Sequence, residues 1–232
     1  MADDRDLPKI DTTKAHPARI YDAWLGGKDN FAADREAAEL ALQAYPALAE
    51  AIQSNRAFLG RAVRFLVGAG VRQFLDIGTG LPAADNTHEV AQREAPDSRI
   101  VYVDNDPIVL RHAQALLTST PEGACDYIQA DLSAPETILA DAARTLDFDR
   151  PVALMLLAVL QFALDEQDPY GLVSRLTAAL PPRQLPGDLA PDRRLQPQPG
   201  RVDDGVQRAV SRAGGSPGQG ADRPVLRRPG PP

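Results

Sequence analysis

The sequence predicts an α/β protein: a doubly wound, mostly parallel sheet behind a helical N-terminal extension, followed by a disordered C-terminal tail. Three observations carry this. The first 70 residues show apolar side chains at helical spacing. From Val71 short apolar runs alternate with helix-like segments. After Pro182 the composition changes abruptly. Strands alternating with helices at this pitch build βαβ units and a parallel sheet buried on both faces.

The elements follow in order. HPARIYDAWLGGKDNF (16–31) opens with a proline suited to a first helical turn and meets Gly26-Gly27, a helix stop. Asp29 and Asn30 are then placed to start the next helix, about 31–44. A third amphipathic stretch, 46–67, carries Leu48, Ile52, Leu59, Val63 and Leu66. VRQFLDIG, RIVYVDND and CDYIQADL read as three short strands, and PVALMLLAVLQF (151–162) as a fourth, longer one. Helices are predicted at 87–94, 107–117, 135–143 and 169–180, with Asp106 as the cap before Pro107. The divisions are a disordered 1–16, a helical cap 17–70, a ligand-binding α/β domain 71–182, incomplete at its C-terminus, and a tail 183–232. No repeat of fixed period is present.

Composition narrows the partners. The formal net charge is −7, so no basic surface advertises nucleic acid, and a small-molecule partner is expected. The lone Cys125 leaves no internal disulfide and suits a reducing cytosol. No apolar run approaches the roughly 20 residues that span a bilayer, and the acidic N-terminus does not read as a secretory signal. The expectation is a cytoplasmic protein, with no metal and an undefined oligomeric state.

The stretch FLDIGTGLPAAD (74–85) organises the site. Gly78 and Gly80, with Thr79 between them, end the first predicted strand: Gly78 permits a tight turn and Gly80 lets a ligand approach the main chain. Gly78-x-Gly80-x-x-Ala83 also fits a loose dinucleotide fingerprint, so a nicotinamide-dependent oxidoreductase is the alternative. Asp76 separates the two, because a carboxylate beside the loop repels a pyrophosphate and suits a ligand bearing ammonium and no phosphate. Asp104, 24 residues after Gly80, can accept hydrogen bonds from ribose hydroxyls. Asp131, at the end of the third predicted strand, can read an adenine edge together with neighbouring N–H groups. One such Asp alone is commonly a cap or a turn residue; three in order around a glycine loop point to one crevice.

This constellation resembles the class I S-adenosylmethionine-dependent methyltransferases, with their Rossmann-like fold. ARIYDAWLGGKDNFAADRE, NRAFLGRAVRFL, QFLDIGTGLP, NTHEVAQ, YVDNDPIVL and LDFDRPVALMLLAVLQF narrow it further. In order, from about Pro17 to Leu180, they resemble the bacterial S-adenosyl methyltransferase family, formerly a domain of unknown function. The resemblance implies S-adenosyl-L-methionine as cofactor, held by Asp76, Gly78, Thr79, Gly80, Asp104 and Asp131. Asn105 and Leu132, next to two of these acids, and Gly27, Lys28 and Asn30 of the cap complete the candidate set. Two departures fall on the substrate side: Gln161 stands where the family is expected to carry His, and PAADN replaces a Pro-Thr-x-x-Asn run.

Methyl transfer from a sulfonium is an in-line displacement, which needs alignment and exclusion of water more than a general base. The acceptor is expected near Ala158 to Phe162, beneath a cap formed by YDAWLGGKDNF, whose Tyr21 and Trp24 can equally be core residues. Catalytic candidates are His88, Gln161 and Tyr21, none with a fixed role, and His88 has a structural alternative at its helix start. Asn55 and Arg56 are placed to brace the cap. Cys125 reads as a small core residue.

The tail has its own reading. Residues 183–232 hold no aromatic residue, carry 9 Arg against 5 Asp, and leave a net −11 on residues 1–182. Such a segment cannot bury enough apolar surface to order itself. RQLPGDLAPDRRLQP (183–197) can be encoded by codons that, read one base later, give the strand-like GSYLAISHLTADFNP, which also resembles what the family carries next. A frameshift near Pro182 is therefore favoured over a selected tail, leaving a non-catalytic remnant as a further alternative. The gene's nucleotide sequence is expected to keep an open shifted frame past codon 182; a stop there ends the idea.

Overall fold

The computed structural model describes residues 11–116 and 118–181. The readings made for 1–10 and for 182–232, including the disordered tail and the shifted frame, lie outside the described residues. Helices α1 (Pro17–Trp24), α2 (Ala32–Ala44) and α3 (Leu48–Gly68) come first. Strands and helices then alternate: β1 (Gln73–Ile77), α4 (Thr87–Glu94), β2 (Arg99–Asp104), α5 (Pro107–Leu116), β3 (Ala124–Gln129), α6 (Pro135–Ala142), β4 (Ala153–Met155) and α7 (Pro169–Ala178). The sheet is parallel throughout, in the order β3-β2-β1-β4. No helix among the described residues is long and apolar enough to cross a membrane.

The period of two along each strand distributes the core. Phe74, Ile100 and Tyr102 pack on one face with Val63 and Val67 of α3 and Val90 of α4. Leu75, Ile77, Val101 and Val103 face the other way, against Ile138 of α6 and Leu176 of α7. Both faces of β1 and β2 are covered, which is why these strands read as nearly continuous apolar runs. Parity also dictates function: Asp76 is in phase with Phe74, and pairs in register with Tyr102, on the α3/α4 face.

Three expectations need correction. The fourth strand is not the long run 151–162: β4 spans three residues, and the apolar segment continues into 3-10 turns at Leu160–Phe162 and Asp165–Gln167. A positive φ of 55° at Ala158 breaks the extended path. Asp29 and Asn30 do not open α2, whose N-cap is Phe31. Residues 11–16 belong to the folded part: Arg19 Nη1 donates to the Asp11 carbonyl (3.3 Å) and Nη2 to the Lys14 carbonyl (3.2 Å).

Arg19 is almost fully buried and lies at ion-pair distance from two carboxylates, Asp106 (3.5 Å) and Asp34 (3.7 Å). Asp34, wholly buried, accepts hydrogen bonds from the main-chain N–H of His16 (2.9 Å) and of Phe31 (2.8 Å), so it also caps α2. Asp106 accepts from Ile108 N–H at the start of α5 (2.9 Å), as expected of a cap, and lies 3.0 Å from Nδ1 of His16. One guanidinium thus ties α1 and α2 to the tip of β2. Asp34→Ala strands that buried charge and removes two acceptors; it should cost about 3–5 kcal/mol, read by urea denaturation of the full chain. A loss under about 1 kcal/mol would show that the knot does not hold the cap.

Candidate functional site

The loop after β1 is shaped by left-handed glycines, Gly78 (φ 77°) and Gly80 (φ 67°). Gly78 N–H and Thr79 N–H both donate to the Val103 carbonyl (2.8 and 3.3 Å), and Thr79 Oγ1 donates back to the Asp76 carbonyl (3.0 Å). Gly80 N–H donates to Asp104 Oδ2 (2.7 Å), so the second-strand acid clamps the glycine loop. A side chain on Gly78 would collide with Val159, its Cβ lying 2.4 Å from Val159 Cγ2, whereas a Cβ on Gly80 meets open space. Gly78 is required by close packing; Gly80 leaves its backbone open to a ligand. Farther along the loop, Arg56 of α3 donates twice to the Ala84 carbonyl (3.2 and 2.7 Å) and once to Asn86 Oδ1 (3.0 Å). Arg56 therefore braces the loop rather than the cap, while Asn55 does brace the cap, donating to the Tyr21 hydroxyl (3.0 Å).

The three acids differ in environment. Asp76 is buried, and burial pushes its pKa up to about 6, against the opposing hydrogen bond from Thr87 Oγ1 (2.6 Å) and the charge of Arg56. Asp104 is also raised by burial, although it accepts from Asp106 N–H (3.0 Å) as well as from Gly80. Asp131 lies two residues beyond β3, accepts from Ser133 N–H (2.9 Å) and Asn105 Nδ2 (2.9 Å), and is held below the usual carboxylate range, chiefly by the Ser133 hydrogen bonds. Side-chain desolvation raises a carboxyl pKa and donated hydrogen bonds lower it, so the tips present acids of different strength.

Asp76, Gly78, Thr79, Gly80, Asp104, Asn105, Asp131 and Leu132 all line one cavity of about 830 Å³. That size falls within the range of about 300–1,000 Å³ typical of small-molecule sites. The donor set fits a cationic nucleoside. Each carboxylate oxygen has two acceptor positions, so Asp104 keeps acceptor capacity after its two backbone bonds, and the cavity sets an open stretch of main chain beside acids and apolar side chains. Tyr21 and Gln161 also line this cavity.

Other candidates are not brought there. Gly27, Lys28 and Asn30 do not line the cavity. Their loop instead wraps the buried Asp22 carboxylate, whose Oδ2 accepts from Asp29 N–H (3.0 Å) and Asn30 Nδ2 (2.8 Å). Gly27 packs so closely on that carboxylate that no side chain fits. His88 is a core residue: its ring Nδ1 and its own N–H each lie 2.8 Å from the Tyr102 hydroxyl, and burial lowers its pKa. Buried against the Tyr102 hydroxyl, the ring is spent on packing. The sequence reading missed His16, Asp22 and Thr87 on the cavity wall. Thr87, 11 residues after Asp76 and at a helix start, carried a weak signal; His16 and Asp22 carried none without the tertiary fold.

Residues 3–186 match the model of a family described as S-adenosyl methyltransferase. Among solved structures, a DUF574 family protein from Streptomyces avermitilis MA-4680 is 52% identical, over 75% of this chain and 67% of that one, with a TM-score of 0.72. A provisionally assigned methyltransferase from Thermobifida fusca YX is 41% identical, over 88% of this chain and 73% of that one, with a TM-score of 0.71. No curated protein matches the chain significantly.

Gly78→Ala imposes both a left-handed alanine and a clash with Val159. It should destabilise by about 2–4 kcal/mol, the positive φ accounting for about 1–3 of these. Adding Val159→Gly should recover only the steric part in a double-mutant cycle of thermal melts. Additive losses would show that Val159 does not press on the loop.

Proposed function

The chain belongs to the S-adenosyl methyltransferase family, and from that premise we propose that it methylates a small-molecule acceptor held in the cavity described above. The methyltransferase assignment and the cofactor, S-adenosylmethionine, come with the family. The observation that carries the residue assignments is the meeting of Asp76, Asp104, Asp131 and the Gly78–Gly80 main chain on one cavity wall.

When bound, the cofactor would supply an electrophilic methyl group on a sulfonium: the acceptor's nucleophile would bond to the methyl carbon in line as the C–S bond breaks, and S-adenosylhomocysteine would leave as the neutral thioether. The chain's residues bind and orient. Asp104 accepts the ribose hydroxyls, and its bond to Gly80 N–H fixes the loop at the same time. Asp131, aligned by Asn105, offers an acceptor to the adenine amino group. Asp76 faces the methionine ammonium end, where a buried carboxylate interacts more strongly with a cation than it does in water. A small acceptor is supported by the cavity's volume of about 830 Å³, and its four acids disfavour a phosphate backbone. The comparisons give no support to the nicotinamide oxidoreductase or to the non-catalytic remnant.

Binding should depend on pH with a defined sign. Asp76, raised to about 6, is neutral below that pH and cannot pair with ammonium; above it the charged form is available. Calorimetric titration of the full chain with S-adenosylhomocysteine should therefore show affinity rising about tenfold from pH 5 to pH 7, and Asp76→Asn should flatten the rise. A flat profile in the unsubstituted chain would remove Asp76 from the ammonium contact. Absence of binding throughout would sink the cofactor site.

A further inference from the structure

The cavity has a second wall, which the cofactor residues leave unused. It is formed by the inner sides of α1 and α3 and by the turn after β4, through Tyr21, Trp24, Leu48, Ile52, Leu160 and Phe162. Two aromatic rings on it are held in place. Trp24 Nε1 donates to the Ala38 carbonyl (3.0 Å), and the Tyr21 hydroxyl accepts from Asn55 Nδ2 (3.0 Å). The rings meet edge to face, with centroids 6.4 Å apart. The indole's donor is thus spent on main chain, and its ring offers apolar surface. The Tyr21 hydroxyl proton, by contrast, reaches only the Ile52 carbonyl at 3.5 Å, the outer limit of a hydrogen bond. It is the donor that a ligand can capture.

Charge limits what fits. Among the described residues lining the cavity, the carboxylic acids are Asp22, Asp76, Asp104 and Asp131, and the basic groups are Arg56 and His16. Arg56 already gives its guanidinium to Ala84 and Asn86. A carboxylate or phosphate on the acceptor would be desolvated against the second wall, whose Tyr21, Trp24, Leu48, Ile52, Leu160 and Phe162 include no basic group to receive it.

We propose that this wall is the methyl-acceptor subsite, that it takes an aromatic molecule without an anionic group, and that Tyr21 donates a hydrogen bond to that molecule's heteroatom. The inference rests on the cofactor reading above and adds the substrate class. Rigid aromatic walls favour flat apolar ligands at low entropic cost, and a single polar group at the end of an apolar chamber fixes their orientation. Tyr21 is here a positioning residue.

Trp24 is the only tryptophan in the chain, so its emission reports on this wall. The full chain, saturated with S-adenosylhomocysteine, is titrated with the neutral 4-nitroanisole and separately with the anionic 4-nitrobenzoate. Saturable quenching is expected from 4-nitroanisole, with 4-nitrobenzoate about tenfold weaker or worse. Tyr21→Phe should weaken 4-nitroanisole several-fold and leave the calorimetric affinity for S-adenosylhomocysteine unchanged. Linear, unsaturable quenching by both probes, equal affinity for the anion, or an indifferent Tyr21→Phe variant, each with S-adenosylhomocysteine still bound, overturns the acceptor subsite alone. Failure of S-adenosylhomocysteine to bind overturns the cofactor reading, and this inference with it.

Discussion

The cavity exists because one guanidinium is buried between parts of the chain that are far apart in sequence. Arg19 lies close to Asp34 of α2 and Asp106 at the tip of β2, and its other nitrogens satisfy the carbonyls of Asp11 and Lys14. Buried charges of this kind contribute little net stability compared with an apolar core, yet removing one partner is costly. Their effect is positional. Without the knot, α1 would keep its apolar contacts with Ala37 and Ala38 of α2 but would lose the Arg19 link to the tip of β2. With it, His16, Tyr21 and Trp24 form one side of a cavity whose other side is the sheet.

On the sheet side, strand parity decides which acids can act. Asp76 points to the face covered by α3 and α4, where Thr87 and Tyr102 surround it. A one-residue slip would send it to the face packed by α6 and α7, among Ile138, Leu146 and Leu176, where a carboxylate would be buried in an apolar core. Asp104 shares that parity with Tyr102 and turns its two oxygens to backbone N–H groups of different loops. The glycine loop is consequently held by the same group that is proposed to receive the nucleoside. Pre-bonding of this sort lowers the ordering cost on binding, since neither carboxylate nor loop must be rearranged.

Much of this was legible in the sequence, for definite reasons. β1 and β2 were visible because burial on both faces leaves unbroken apolar runs, and the three tip acids were visible because each interrupts or ends such a run. Helix boundaries at Pro17, Thr87, Pro107, Pro135 and Pro169 followed from local start signals. What failed was non-local. PVALMLLAVLQF reads as a strand, but the chain bends at Ala158 to line the cavity, and a left-handed alanine leaves no mark on a hydropathy pattern. The GGKDN loop reads as ligand-binding because it is polar and glycine-rich; its polar groups are in fact consumed by Asp22, a residue read only as part of a helix. His88 was ambiguous until its partner, the Tyr102 hydroxyl, was known.

The same cavity shows how three acids can share one lining. Like charges at neighbouring strand tips would repel if all were ionised in a low-dielectric cleft. Here the repulsion is relieved differently at each position. Asp131 stays exposed enough to be solvated, and hydrogen bonds keep it charged. Asp104 spreads its charge over two N–H donors. Asp76, the most enclosed, keeps its proton up to about pH 6 because burial raises its pKa, so below that pH it adds no charge to the cluster. A ligand bearing ammonium and sulfonium charge would replace that proton, so binding and deprotonation of Asp76 are linked. On the proposed function, a neutral or anionic nucleoside would obtain no such exchange, and the acids would discriminate by charge at the cofactor step rather than through the acceptor.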